Sequence, residues 1–251
     1  FFNDTEVPVD NMLSERGNGF KIAVNILNIG RIKLGAGVIG GCKQVITDSV
    51  RYANERKQFG QSISNFGAIK AKLANMATKT FATEAACYRA GQNIDERIES
   101  LIADGMPENE AKLKGVEQFA IECAIMKVHG SEVLDYCVDE GVQVYGGMGF
   151  SADAPMERAY RDARIARIYE GTNEINRMLL VGMTVKRAMK GELNLMGPAM
   201  AVAKELTSVP DFGAKSFDGA FAKEKDVLKN LKKSVLMVAG KAAQDFGMKL
   251  N

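Results

Sequence analysis

One acid in this sequence has the surroundings of a catalytic base. Glu170 is followed at once by Gly171, by the helix-capping residue Thr172 and by an amphipathic helix. The first N–H groups of a helix need acceptors, and a carboxylate on a short turn before them can face a cavity instead of solvent. That geometry suits the abstraction of a proton. A structural role is the alternative, because acids before a helix N-terminus also complement the helix dipole.

Two further segments have the composition of phosphate sites. The segment Gln143-Val144-Tyr145-Gly146-Gly147-Met148-Gly149-Phe150 has enough glycine for backbone N–H groups to approach a phosphate. It follows no predicted strand, which argues against a Rossmann motif and leaves a plain helix stop as the alternative. Arg56-Lys57-Gln58-Phe59-Gly60 favours a diphosphate clamp, since arginine presents a planar fork to phosphate oxygens. The alternative there is a solvated helix terminus.

Other kinds of chemistry find little support. A net charge of +2 argues against a general affinity for nucleic acid, and no cluster has metal-ligand spacing. The single histidine, His129, lies within a predicted helix, so no nucleophilic triad can be assembled. The cysteines form no CxxC pair, which predicts reduced, buried thiols and a cytoplasmic protein. Four arginines step by three and predict a salt-bridged, solvated face: Arg158, Arg161, Arg164 and Arg167.

Long helices must position these residues. Apolar residues at helical spacing predict helices over about 19–55, 66–101, 119–137 and 172–190, with short connections between them. The sequence therefore predicts an all-α, antiparallel four-helix bundle. Glycines within the first helix predict a close approach of backbone or ligand. The segment from Phe1 to Leu13 predicts an extended chain with no partner strand nearby, so we expect this chain to be part of something larger.

Together the motifs resemble those of the acyl-CoA dehydrogenases. The family's order and spacing match over roughly residues 5 to 185, in five separate boxes: Asn28-Ile29-Gly30-Arg31, Arg56–Gly60, Gln143–Phe150, Arg161-Asp162 and Tyr169–Thr172. The first box, the Asn65-Phe66-Gly67 start of the second helix and the helical tail are most similar to the very-long-chain branch.

The resemblance implies a reaction and a role for three residues. Glu170 would remove the α-proton of a fatty acyl-CoA while hydride leaves the β-carbon for FAD, giving the trans-2-enoyl-CoA. Gly171 would lie against the pantetheine arm, and Arg31 near the CoA moiety. Some members place their base near Gly30 and Arg31, but that stretch has no acid here.

The resemblance also implies a cofactor site shared between subunits. Arg56, Phe59, Gln143, Gly146 and Gly147 would hold the FAD diphosphate and adenosine across a subunit interface. Thr172 and Glu174 would contact the FAD of their own subunit. The expected partners are therefore acyl-CoA, a second copy in a homodimer or dimer of dimers, and an electron-transfer flavoprotein.

By the same resemblance, residues 1–14 are a remnant of a middle β-domain, 15–189 the bundle, and 190–251 the start of a helical extension. Family members carry further domains before the bundle, so we expect this chain alone to bind FAD weakly or not at all and to be inactive. Membrane association of the tail is left open. The competing hypotheses are an acyl-CoA oxidase and a non-catalytic oligomerisation module.

Overall fold

The computed structural model describes residues 1–208 and 216–246. The chain consists of two compact units, Phe1–Arg177 and Met178–Asn251. Helices dominate the described residues, and a two-residue hairpin, β1 (Lys57–Gln58) with β2 (Gln61–Ser62), follows the first of them. The helices are α1 (Gly19–Glu55), α2 (Gly67–Ala103), α3 (Glu108–Gln118), α4 (Ala120–Tyr145), α5 (Pro155–Arg164), α6 (Asn173–Met189), α7 (Met196–Leu206) and α8 (Ala222–Phe246).

The all-α class is confirmed, and the predicted long helices correspond to α1, α2, α4 and α6. Helix α3 was not predicted from the sequence. Gly105, with a φ of +90°, allows the chain to leave α2, and Pro107 then stands at the N-cap of α3. Most residues of α3 are exposed and polar, so the helix lacks a long apolar stripe by which it could have been recognised.

No strand forms at Phe2–Val9; the chain there is exposed and irregular, with one 3-10 turn at Val9–Asn11. A strand needs a neighbour to accept and donate its backbone hydrogen bonds, and the described residues offer none to this segment.

The core of the first unit lies where α1, α2 and α4 meet, and α5 covers one part of it. By length and composition α1 could cross a membrane, with a mean hydropathy of 1.4 over its best window, but helices of soluble cores meet the same criterion. In this fold the apolar face of α1 packs within the bundle. Its buried residues are Gly35, Val38, Ile39, Cys42, Val45 and Ala53.

In the second unit, α7 and α8 pack against each other and are joined by an ion pair between Glu205 and Lys233. Both helices agree with the helical tail that the sequence predicts. Pro210 and Gly213, residue types that are typical of a linker, lie outside the described residues.

Candidate active site

The Glu170 turn connects a 3-10 turn at Ile165–Arg167 to the start of α6. Two successive residues are left-handed, Glu170 with a φ of +59° and Gly171 with a φ of +80°. Glycine adopts this conformation freely, whereas for a residue with a Cβ the conformation is unfavourable by roughly 1–2 kcal/mol. The contacts around the turn must therefore stabilise the conformation of Glu170.

Side chains from three helices donate hydrogen bonds to the carbonyls of this turn. Asn176 Nδ2, in α6, lies 3.3 Å from the Glu170 carbonyl, 2.8 Å from that of Gly171 and 3.0 Å from that of Thr172. Arg31 Nε, in α1, lies 3.3 Å from the Glu170 carbonyl. Lys127 Nζ, in α4, lies 2.7 Å from the Gly171 carbonyl. Helices α1, α4 and α6 therefore each hold the turn in place.

These donors belong to a buried polar network. Lys127 also donates to Asn173 Oδ1 at 2.7 Å, and Asn173 donates to Ser131 Oγ at 3.0 Å. Arg31 donates to Asn28 Oδ1 at 3.1 Å. The side chains at the centre of the network are almost fully buried: Asn28, Arg31, Lys127, Ser131, Asn173 and Asn176. Such a network is stable only when its groups are paired, and most of these are.

The Glu170 carboxylate lies over Gly30 on α1. A Cβ built on Gly30 would lie 2.5 Å from Glu170 Oε2 and 2.7 Å from Oε1, so only glycine leaves room for the carboxylate here. Oε2 is buried, and no described residue donates a hydrogen bond to it. A buried carboxylate oxygen with free lone pairs, beside a surface kept open by glycine, has the form of a proton acceptor.

Two cations lie close to this carboxylate. Burial lowers the pKa of the Arg31 guanidinium, and the Glu170 carboxylate acts in the opposite direction. Burial also lowers the pKa of the Lys127 ammonium; Arg31 lowers it further, whereas Glu174, Glu170 and Glu132 raise it. The surroundings of the Glu170 turn therefore combine buried positive charge with the acid that would work beside it.

A separate cavity of about 490 Å³ lies beyond the C-terminal end of α4. Arg56 and Gln58 border it together with Gly146 and Gly147. The two segments predicted to bind phosphate, Arg56–Gly60 and Gln143–Phe150, therefore lie next to each other. A Cβ built on either glycine would meet no atom within 4 Å, which leaves the loop backbone open toward a ligand. Tyr145 stacks on Tyr52 with 4.0 Å between the ring centroids, and this pair fixes one wall.

For the other predicted cofactor residues, the structure gives less direct support for a role in binding. Phe59 is 91% exposed in a left-handed conformation and meets Phe66 edge-on, and Gln143 is exposed in the last turn of α4. Thr172 Oγ1 accepts the Ile175 N–H and caps α6. Hydrogen bonds from its own backbone N–H and from the Thr172 hydroxyl lower the pKa of the exposed Glu174. Cofactor roles for these four residues stay predictions.

The Glu170 turn and the Arg56 cavity lie at opposite ends of α4. Lys127 contacts the turn, whereas Tyr145, 18 residues later, borders the cavity, a separation of roughly 27 Å along the helix. The predicted base and the predicted diphosphate clamp of one chain therefore do not line one pocket.

Sequence reasoning missed Lys127, Asn173 and Asn176. Lys127 carried a signal: it lies four residues after Cys123 and next to Met126 in an apolar stretch of its helix, and a lysine that is buried there needs a partner. Arg31 was expected beside CoA, but its contacts in the structure are with Asn28 and the Glu170 turn; a role toward substrate stays a prediction.

The remaining motifs carry no chemistry in this structure. His129 is exposed, and the described residues contain no group of side chains that could hold a metal. All four cysteines are buried and free. Within the arginine-rich segment, Arg161 pairs loosely with Glu157, and Arg167 pairs with Asp135 of α4 at 2.9 Å.

Residues 17–183 match the family model for the acyl-CoA dehydrogenase C-terminal domain. The chain is 43% identical over 245 residues to a probable acyl-CoA dehydrogenase of Bacillus subtilis, covering 98% of this chain and 41% of that protein. It is 42% identical over 180 residues to the mitochondrial very long-chain specific acyl-CoA dehydrogenase of Rattus norvegicus, covering 72% and 25%.

Among solved structures, an acyl-CoA dehydrogenase of Bacillus anthracis complexed with FAD superposes with a TM-score of 0.88 at 47% identity. The match covers 97% of this chain and 41% of that one. The chain thus spans less than half the length of these relatives.

Proposed function

The chain belongs to the acyl-CoA dehydrogenase family, and we propose that in its holoenzyme Glu170 is the base that removes the α-proton of a fatty acyl-CoA. The observation that carries the proposal is the Glu170 turn. An acid is held there in a conformation that costs free energy, with one buried oxygen unpaired. A helix-dipole partner needs neither feature, because it is stabilised while exposed at an ordinary helix start.

The chemistry requires a carboxylate that is both free and fixed. A thioester α-proton is weakly acidic, so the base must be held at the α-carbon without donors that compete for its lone pairs. The donors around the turn bind the backbone carbonyls of Glu170 and Gly171. They can therefore fix the turn without occupying Oε2.

The chain's residues fit FAD at the cavity beside Arg56. Its cation, the Gln58 amide and the open glycine backbone at Gly146 and Gly147 are the donors that a diphosphate requires. Within the described residues Arg56 has no ion pair to compete with such a ligand. When bound, FAD would accept the hydride that leaves the β-carbon, so that the product is the trans-2-enoyl-CoA. We propose an electron-transfer flavoprotein as the acceptor of the electrons.

Replacing Glu170→Gln in the holoenzyme tests the proposal. The amide keeps the size of the side chain but cannot take a proton, so we expect turnover to fall by at least about a thousandfold while FAD content is unchanged. The measurement is anaerobic bleaching of the flavin band by acyl-CoAs of graded chain length, which also reports substrate preference.

The matched control is Glu108→Gln. Glu108 is exposed in the first turn of α3 and, among the residues that the structure describes, pairs only with Lys112, so its loss should leave bleaching at the wild-type rate. Wild-type turnover in Glu170→Gln would exclude Glu170 as the base.

A further inference from the structure

Lys127 is a fully buried lysine, and no carboxylate among the described residues pairs with it directly. Its relative exposure is 0%, the value of a core methionine such as Met76. Lysines are almost never fully buried unless paired, because taking an ammonium out of water is costly. Here the ammonium instead donates to two neutral oxygens, Gly171 O and Asn173 Oδ1, each at 2.7 Å. If this position served only hydrophobic packing, an apolar side chain would suffice, so the ammonium needs another explanation.

Both acceptors of Lys127 lie beside the Glu170 turn. Gly171 is the second left-handed residue of the turn, and Asn173 is the first residue of α6. One ammonium therefore fixes the end of the turn and the start of the helix relative to α4. Asn173 continues the contact through Ser131, one helical turn after Lys127 on α4, so the attachment has two points.

We propose that Lys127 is a positioning residue for Glu170. Its ammonium holds the Gly171 carbonyl and thereby keeps the preceding residue in the left-handed conformation that places the carboxylate over Gly30. The inference rests on the proposed function, since it assigns a purpose to Lys127 only if Glu170 is the base.

The charge of Lys127 supports this role. The charged groups around it are the carboxylates of Glu170, Glu174 and Glu132 and the guanidinium of Arg31, so acids outnumber cations among its neighbours. A cation behind the turn also attracts the Glu170 carboxylate and so helps to hold it in place. A neutral donor would supply the hydrogen bonds without this attraction.

The test replaces Lys127→Met in the holoenzyme, with Lys127→Gln as a second variant that keeps a neutral donor. Lys72→Met is the matched control, because Lys72 is a half-buried lysine that pairs with Glu140 and joins α2 to α4 away from the turn. Melting temperature and FAD content report folding. Turnover, KM and the isotope effect of an α-deuterated acyl-CoA report the position of the base.

We expect both Met variants to lose thermal stability, because each leaves buried or partly buried acceptors without their donor. Only Lys127→Met should lower kcat, by about 10- to 100-fold, with KM nearly unchanged. The α-deuterium isotope effect on kcat should rise, because proton removal becomes slower than the other steps. Lys127→Gln should fall between Lys127→Met and wild type. A purely structural role would lower stability without changing the isotope effect.

Two results overturn the inference in different ways. If Glu170→Gln is inactive while Lys127→Met matches Lys72→Met in kcat and isotope effect, the proposed function stands and Lys127 has no positioning role. If Glu170→Gln turns over normally, the proposed function fails and the inference fails with it. Should Lys127→Met not fold, the same comparison is made with Lys127→Gln.

Discussion

Gly30 and Glu170 form a complementary pair, one residue supplying the space that the other fills. The Glu170 carboxylate lies closer to the Gly30 backbone than any side chain at position 30 would allow. Gly30 is inside a long helix, where glycine is unfavourable by about 1 kcal/mol relative to alanine. A glycine inside the helix, although unfavourable, is explained if the Glu170 carboxylate must lie at this place.

Gly30→Ala should therefore separate activity from stability. The added methyl group would meet only the end of a flexible side chain, so the helix is tolerated and the carboxylate moves. We expect kcat of the holoenzyme to fall by about 100-fold, because a displacement of the base by an ångström has such an effect. The free energy of unfolding, measured with urea, should change by no more than about 1 kcal/mol.

Gly37→Ala is the control for this prediction. Gly37 lies two turns further along α1, and a Cβ there would meet nothing within 4 Å. It should gain a little stability at unchanged kcat. Equal activity of the two variants would show that the carboxylate does not need its position over Gly30.

The residues of the site differ in how readily they can be recognised from the sequence. Glu170 stands out because the acid, the glycine and the helix cap are adjacent in sequence. Lys127 and Asn176 do not, since their partners are backbone carbonyls, and only the folded chain determines which carbonyls a side chain can reach. Arg31 has the same difficulty: its partner carbonyl is 139 residues away.

At the level of the helices, α1 and α4 approach each other until their backbones touch. A Cβ on Gly35 would lie 2.8 Å from the Met126 carbonyl, and one on Gly130 would lie 3.1 Å from the Gly35 Cα. Lys127 follows Met126, and Arg31 is one helical turn before Gly35. This crossing therefore sets the distance between the two cations that hold the Glu170 turn.

Gly35→Ala should disrupt the crossing. Its methyl group would meet backbone atoms of α4, which cannot move aside as a side chain can. Overpacking of this kind costs about 1–3 kcal/mol, more than alanine gains as a helix former. Urea unfolding should show a lower midpoint for Gly35→Ala and a midpoint at or above wild type for Gly37→Ala. Equal midpoints would contradict the close contact.

The long helices could be predicted because each carries apolar residues at helical spacing, a pattern visible in one sequence without knowledge of the partner. The glycines of α1 also predicted a close approach, which is confirmed at Gly30 and Gly35. The pattern does not say which glycine meets which atom: Gly37 and Gly40, in the same helix, face open space. At Phe2–Val9 the chain forms no strand, because a strand depends on a partner that the described residues do not supply.

At the scale of the whole molecule, the two predicted halves of the active site are roughly 27 Å apart along α4. The Glu170 turn is at one end and the Arg56 cavity at the other. If one active site needs both, they must come from different copies of the chain. A two-fold symmetric dimer would supply this twice, because each copy gives its turn to one site and its cavity to the other.

Mixed dimers test this arrangement. One copy carries Glu170→Gln and the other carries Arg56→Ala, with different affinity tags so that the mixed holoenzyme can be purified by two successive columns. Each homodimer should be impaired, the first in proton removal and the second in FAD affinity. In the mixed dimer, a shared site combines either both substitutions or neither, so one of the two sites should be intact.

The mixed dimer should therefore recover about half of the wild-type turnover, although neither parent has it. If each active site were built within one copy, every site in the mixed dimer would still carry one substitution, and turnover would stay near the average of the two parents. Measuring flavin content alongside turnover separates the two cases further. A shared site predicts that the FAD retained is the FAD that acyl-CoA reduces, since the intact Arg56 and the intact Glu170 then serve the same flavin.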